Sequence, residues 1–105
     1  MTFKQVCTVD GLWEGEMAVF DAGGCQVLVV NAEGGVIRAF DPFCPHQRFA
    51  LVEGTLDGLV LTCRAHLWKF DVSNGESVNP SGCRLKSYAV KLEHERILVD
   101  VPDGG

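Results

Sequence analysis

The sequence has no long hydrophobic run. Its longest strongly apolar stretch, Val27-Leu28-Val29-Val30, is far short of the ~20 residues that cross a bilayer as a helix, so no membrane span is expected. Lys4, Asp10 and Glu14 stand where a secretory leader would need an apolar core, so no signal peptide is expected either. Basic charge is scarce: 9 Lys and Arg against 14 Asp and Glu leave a formal net charge of −5. This argues against nucleic acid as a partner, because neutralising phosphate takes a basic face. It suits a protein that meets other proteins through charge-steered encounters. No repeat, low-complexity tract or linker divides the chain, and no segment keeps a convincing helical period. A nucleophile–base pair, a phosphate-cradling loop and a substrate-pocket signal are also missing, so catalysis by this chain alone is not expected. The cysteine count, 5, is odd. With no leader present, it points to a reducing cytoplasm rather than to a disulfide framework.

What is present suits one all-β domain over residues 1–105. The composition, 47% hydrophobic and 22% charged, is that of a folded globular protein, and the length allows one modest core. Short apolar runs are broken by turn signals. Glu16–Phe20 alternates, Gly23-Gly24 leads into Cys25–Val30, and Gly34-Gly35 leads into Val36–Phe40. Paired glycines supply the positive φ that tight hairpins need. Asp57-Gly58 stands between Thr55-Leu56 and Leu59–Thr62, and Asn74-Gly75 between Trp68–Val72 and Glu76–Val78. The second of these is the strongest hairpin signal in the chain. Ser87–Leu92 and Arg96–Val101 form a last hairpin around His94-Glu95. Thr8–Trp13 has room for one helical turn capped by Thr8 or Asp10. The expected architecture is nine or ten short strands in a sandwich or partly open barrel. Pro42 and Pro80 bracket a small inserted lobe, about residues 43–83, that holds the unusual chemistry.

That chemistry is Cys44-Pro45-His46, then sixteen residues, then Cys63-Arg64-Ala65-His66. Each half puts a thiolate and an imidazole on one short loop, and two such loops can face each other at a β tip. Two thiolates and two imidazoles suit either Zn²⁺ or an iron–sulfur centre in which two His replace two Cys. Chance is a poor account, because two of only three histidines fall within three residues of two of the cysteines. A structural zinc knuckle remains a contender on spacing. It is disfavoured by the unequal halves, since zinc sites usually pair like ligands at Cys-x₂₋₄-Cys or His-x₃₋₅-His spacing.

The pattern Cys-x-His-x₁₆-Cys-x₂-His resembles the signature of the Rieske family, and the likeness extends from the early strands to the last hairpin. The resemblance implies a Rieske-like fold with an inserted cluster-binding lobe. It implies one [2Fe–2S] cluster, with Cys44 and Cys63 on the inner iron and His46 and His66 on the outer iron. Phe49 and Ala65 stand where the quinol-oxidising branch carries two disulfide-forming cysteines. Trp68 and Phe70 stand where that branch has hydroxyl donors, so the soluble low-potential ferredoxins are implied. Ring-hydroxylating dioxygenase ferredoxins typically have Gly two residues after the second His, where this chain has Trp68. Cys44-Pro45-His46-Gln47 with Ala65-His66-Leu67-Trp68 looks most like the ferredoxin component of bacterial toluene, benzene and phenol diiron monooxygenases. The implied role is relaying single electrons in aromatic hydrocarbon catabolism. The implied partners are an NADH-dependent flavin/iron–sulfur reductase and a diiron hydroxylase, with the ferredoxin a monomer when free. The alternatives are a dioxygenase ferredoxin and the Rieske-like small subunit of a nitrite reductase.

The remaining residues have blander readings beside the sharp ones. Cys7, Cys25 and Cys83 read as small buried hydrophobes; Cys83 follows the Asn79-Pro80 loop, but the motif already supplies a full ligand set. Asn79-Pro80 resembles the family's proline loop, which shields the cluster from water. His94 reads as a solvated turn residue and Trp13 as a core or interface anchor. Arg48, Arg64, Lys69, Arg84 and Lys86 concentrate around the motif, either as a solvated face or as charge compensation for a reduced cluster. Trp68 reads either as packing under the cluster loop or as part of a docking rim with Pro45, Gln47, Leu67 and Pro80.

Overall fold

The computed structural model describes residues 2–22, 25–43, 50–63, 68–79 and 84–101. Its regular elements are strands β1 (Thr2–Thr8), β2 (Glu16–Ala22), β3 (Cys25–Ala32), β4 (Val36–Phe40), β5 (Thr55–Asp57), β6 (Val60–Thr62), β7 (Lys69–Asp71), β8 (Glu76–Asn79), β9 (Ser87–Tyr88), β10 (Val90–Glu93) and β11 (Arg96–Val101). Two single 3-10 turns, Val9–Gly11 and Leu51–Glu53, complete the described elements. The strands form three antiparallel sheets in the orders β1-β11-β10, β2-β3-β4-β9 and β5-β6-β7-β8. The fold is all-β.

The middle sheet explains the one apolar run of the sequence. Leu28, Val30 and Ala32 of β3 face a core shared with Leu51, Leu61, Cys63, Phe70, Val72 and Leu85. Val27 and Val29, on the opposite face, join Leu12, Ala22, Ile37, Ala39, Ile97 and Val99. Successive side chains of a strand point to opposite faces. A strand covered on both sides is therefore apolar continuously rather than alternately. Full burial of a Val or Leu side chain contributes roughly 1.5–3 kcal/mol, so Val27–Val30 ties the outer sheets to the middle one. Asn31 is the buried polar exception, and its Nδ2 donates to the Leu12 carbonyl at 2.8 Å.

Several expectations change in detail. The described strands number eleven rather than nine or ten, because β1 was not anticipated and Ser87–Leu92 is not one strand. Its first half pairs with β4 (Ala39 opposite Tyr88) and its second with β11 (Val90 opposite Val99). The chain changes sheets at Ala89, whose carbonyl accepts from Asp100 N–H at 3.0 Å. The turn after Thr8 forms as a 3-10 turn, but neither expected cap is made: Thr8 occupies the N-cap position without a side-chain hydrogen bond, and Asp10 lies inside the turn.

The β5–β6 loop is Gly58-Leu59, one residue later than expected, because Asp57 already pairs with Val60. Gly58 has φ +62°, as the first central position of a type II′ turn requires. The Asn74-Gly75 hairpin is wider than a two-residue turn. Asp71 pairs with Glu76, Gly75 N–H donates to the Asp71 carbonyl at 2.6 Å, and the Asp71 carboxylate accepts from Ser73 N–H at 2.9 Å. His94-Glu95 forms the tight turn expected of it, both residues in the left-handed region. Gly23-Gly24 lies outside the described residues.

Candidate metal centre

Of the four residues singled out as ligands, Cys63 is described; Cys44, His46 and His66 lie outside the described residues, as do Phe49, Ala65, Arg48, Arg64, Pro80 and Cys83. Cys63 follows β6 directly and is fully buried in the core between the middle sheet and β5–β8. Its N–H donates to the Trp68 carbonyl at 2.7 Å. This bond fixes the two ends of segment 64–67, continuing the β6–β7 ladder one step beyond the Thr62–Lys69 pair. Lys69 also pairs with Asn79, which sets the end of β8 beside the start of β7.

The other anchors are equally defined. Phe43 and Ala50 pair across an isolated antiparallel bridge on either side of segment 44–49, and Leu51 N–H donates to the buried Pro42 carbonyl at 2.8 Å. Leu51 then packs, fully buried, in the same core as Cys63. Beyond segment 80–83, Arg84 bridges to Glu76, and Leu85 N–H donates to the Gly75 carbonyl at 2.7 Å. The described residues that flank segments 44–49 and 64–67 are thus tied to one another and to the core that holds Cys63.

Two features of this region were not anticipated. The β7–β8 register shifts between Lys69 and Phe70, so Asn79 faces Lys69, Ser77 faces Phe70, and Val78 is the extra, exposed residue. A bulge of this kind bends a strand end, here the last residues of β8. The second is Gly54. A Cβ there would fall within the van der Waals shell of the Thr62 carbonyl oxygen and lie 3.2 Å from the Leu51 carbonyl oxygen. An isolated Gly before a strand is the sequence sign of such an approach.

The neighbouring side chains sort between their readings. Trp68 is half-buried against the core, with its ring 6.4 Å from that of buried Phe70. Arg84 is ion-paired to Glu76 at 3.0 Å and Lys86 lies 5.7 Å from the Tyr88 ring. Both belong to the solvated face rather than to a free cationic shell. Cys7 and Cys25 are half-buried against the second core cluster, and burial pushes the Cys7 thiol up. Trp13 is 71% exposed, which removes the core reading. His94 is exposed in its turn.

Residues 2–89 match the family model for the Rieske [2Fe–2S] domain. The chain belongs to this family, and its cofactor is a Rieske [2Fe–2S] cluster. Over 99 residues it is 48% identical to the ferredoxin component of the alkene monooxygenase system of Xanthobacter autotrophicus, a match covering 92% of this chain and 80% of that one. Its fold matches the ferredoxin of carbazole 1,9a-dioxygenase from Nocardioides aromaticivorans, with TM-score 0.83, 30% identity and coverage of 94% and 97%. It likewise matches a chain in a complex of reduced oxygenase and oxidised ferredoxin of carbazole 1,9a-dioxygenase, with TM-score 0.83, 26% identity and coverage of 92% and 91%. The protein is a Rieske ferredoxin, an electron carrier. Among the described residues no helix is long and apolar enough to cross a membrane.

Proposed function

We propose that this ferredoxin relays single electrons from an NADH-dependent flavin/iron–sulfur reductase to the diiron hydroxylase of a multicomponent monooxygenase in the cytoplasm. The observation that carries the reading is the likeness, over nearly the whole chain, to the alkene monooxygenase ferredoxin. The hydroxylase substrate is an unsaturated hydrocarbon, an aromatic ring or an alkene; the carrier does not need to touch it.

Cys44 and Cys63 would hold the inner iron, and His46 and His66 the outer iron. When bound, the cluster takes up and releases one electron reversibly. The protein's residues supply its setting. Cys63 would offer its sulfur from the buried core, where its backbone N–H is already engaged by the Trp68 carbonyl. Leu51 and Phe70 exclude water from beneath it. Trp68, half-buried between this core and solvent, borders the route by which a partner approaches. An encounter there has to be brief, and electron-transfer contacts tend to bury less than ~1,200 Å².

A dioxygenase ferredoxin is the second reading, favoured by the fold match to the carbazole dioxygenase ferredoxin at 30% identity. Trp68, in place of the glycine typical of those ferredoxins, weighs against it. The test is turnover of a purified reductase–hydroxylase pair of the diiron class with and without this protein. Oxidation that depends on the ferredoxin is expected. Equal rates without it, or activity only with a dioxygenase pair, would overturn the reading.

A further inference from the structure

The end of the molecule at the β3–β4 and β5–β6 turns carries an unusual surface. Trp13 is 71% exposed, although aromatic side chains of this size are rarely left so open in a soluble protein. It is also held in place. Its indole Nε1 donates to the Asp10 carbonyl at 2.7 Å, and its backbone N–H donates to Glu16 Oε1 at 2.8 Å. The ring is therefore a fixed plate rather than a swinging side chain. From Asp10 to Glu16 every charged residue is acidic. Glu14 and Glu33 line a groove of about 230 Å³ together with Gly15 and Gly58, and Asp10 and Glu16 flank the ring along the chain. All four acidic residues are exposed. Among the described residues none pairs with a Lys or Arg, and no cation stands over the Trp13 ring.

The position in the fold is informative. Glu33 N–H donates to the Gly58 carbonyl at 3.3 Å, and Gly15 N–H to the Asn31 carbonyl at 2.7 Å. The groove thus joins the β3–β4 and β5–β6 turns. Cys63 lies at the other end of β6, five residues from Gly58, which at ~3.3 Å per residue is about 16 Å. A partner held here leaves the cluster end free.

We propose that this surface docks a basic region of a partner protein. An arginine would stack on Trp13, and neighbouring cations would be received by Glu14, Glu33, Asp10 and Glu16. Arginine fits better than lysine because its planar guanidinium stacks on an aromatic face and forks to a carboxylate. Holding a partner by one end lets the cluster end meet a second protein, or another face of the first, without full dissociation. The inference rests on the proposed function only in taking the partner to be a member of the same electron-transfer chain.

The test uses the holoprotein and two arms. In the first, an acetylated Arg-Gly-Arg-Gly-Arg amide is titrated while the Trp13 indole N–H is followed by NMR, with lysine and glutamate counterparts as controls. The arginine peptide is expected to shift the Trp13 signal and to bind at least fivefold more tightly than the lysine peptide. Trp13→Ala is expected to weaken it at least fivefold. Glu14→Lys with Glu33→Lys, which leaves the ring and its hydrogen bonds intact, is expected to do the same and to reduce the salt dependence. Shifts scattered over the whole surface, equal binding of both cationic peptides, or no effect of the substitutions would overturn the proposal.

In the second arm, Glu14→Lys with Glu33→Lys should raise the ferredoxin concentration for half-maximal coupled turnover at least fivefold, the loss vanishing at saturation. An unchanged concentration dependence in a system that does turn over overturns the proposal whatever the peptide does. If the wild-type protein supports no turnover, the proposed function fails and the peptide arm alone decides this inference.

Discussion

Single side chains in this fold carry measurable signatures, and Tyr88 offers the cleanest one. It is the only tyrosine in the chain, on β9 at the boundary between the middle sheet and the second core cluster. Its phenol is pushed up to about 12, first by burial, then by the charge of Cys25 and a hydrogen bond with the Cys25 thiol, and last by Asp41. Unfolded, the phenol ionises near ~10. Because the folded value is the higher one, the folded state holds its proton longer as pH rises. The contribution to stability is complete below pH ~10 and is lost as pH rises through about 12. An ultraviolet titration of the phenolate should place the midpoint near 12 in the native protein and near ~10 in denaturant. Coincident midpoints would mean that neither the burial of Tyr88 nor its contact with Cys25 holds in solution. Neither residue's role was readable from composition: Tyr88 and Cys25 are far apart in sequence and meet only because β9 leaves its apparent partner strand to pair with β4.

Elements show where local signals suffice and where they fail. Gly34-Gly35, Asp57-Gly58 and Asn74-Gly75 located three of the hairpins, because glycine takes a positive φ without strain. They did not fix loop length. Gly75 takes φ +78°, but the Asp71 carboxylate gathers the preceding residues into a wider turn. The split of Ser87–Leu92 was invisible, since a strand that changes sheets at Ala89 keeps its apolar alternation. The same limit applies to the metal region. The ligand pattern was legible as spacing, yet the anchoring of its segments depends on long-range contacts such as Leu51 N–H to Pro42 and Cys63 N–H to Trp68. Gly54 is the sharpest of these. It lies where the chain returning from segment 44–49 presses on the carbonyl that precedes Cys63. Gly54→Ala forces the Thr62 backbone to move, and overpacking of this kind costs typically 1–3 kcal/mol. For a domain of this size that is a fall in melting temperature of roughly 4–8 °C per kcal/mol. Because the displaced backbone leads directly into Cys63, the cluster's visible spectrum should change in the same variant. Gly11→Ala, where an added Cβ meets only the Thr8 hydroxyl at 3.5 Å, is the control expected to alter neither. A Gly54→Ala protein with wild-type stability and spectrum would show that β5 and β6 separate freely at this point.

At the scale of the whole molecule, the two-sided middle sheet makes a rigid base, and the metal region stands on one of its faces. Phe70, fully buried on β7 between Leu61 and Ser77 in the β6–β7–β8 register, shares the core packed against that base and brings no hydroxyl to the region around Cys63. Hydrogen bonds to cluster sulfurs are among the factors that set the potential of a Rieske centre within about −150 to +300 mV. With the indole of Trp68 and the ring of Phe70 at the positions where the high-potential branch carries hydroxyls, fewer donors are available to the reduced state. A net charge of −5 also disfavours an added electron. Voltammetry of the holoprotein should therefore place the midpoint near the lower end of that range, low enough to pass electrons on downhill. Phe70→Tyr tests the same cause from the other direction. If the new hydroxyl reaches a cluster or cysteine sulfur, the potential rises while the iron and sulfide content stays at the wild-type level. A wild-type midpoint near the top of the range would mean that groups other than side-chain hydroxyls stabilise the reduced cluster in this protein.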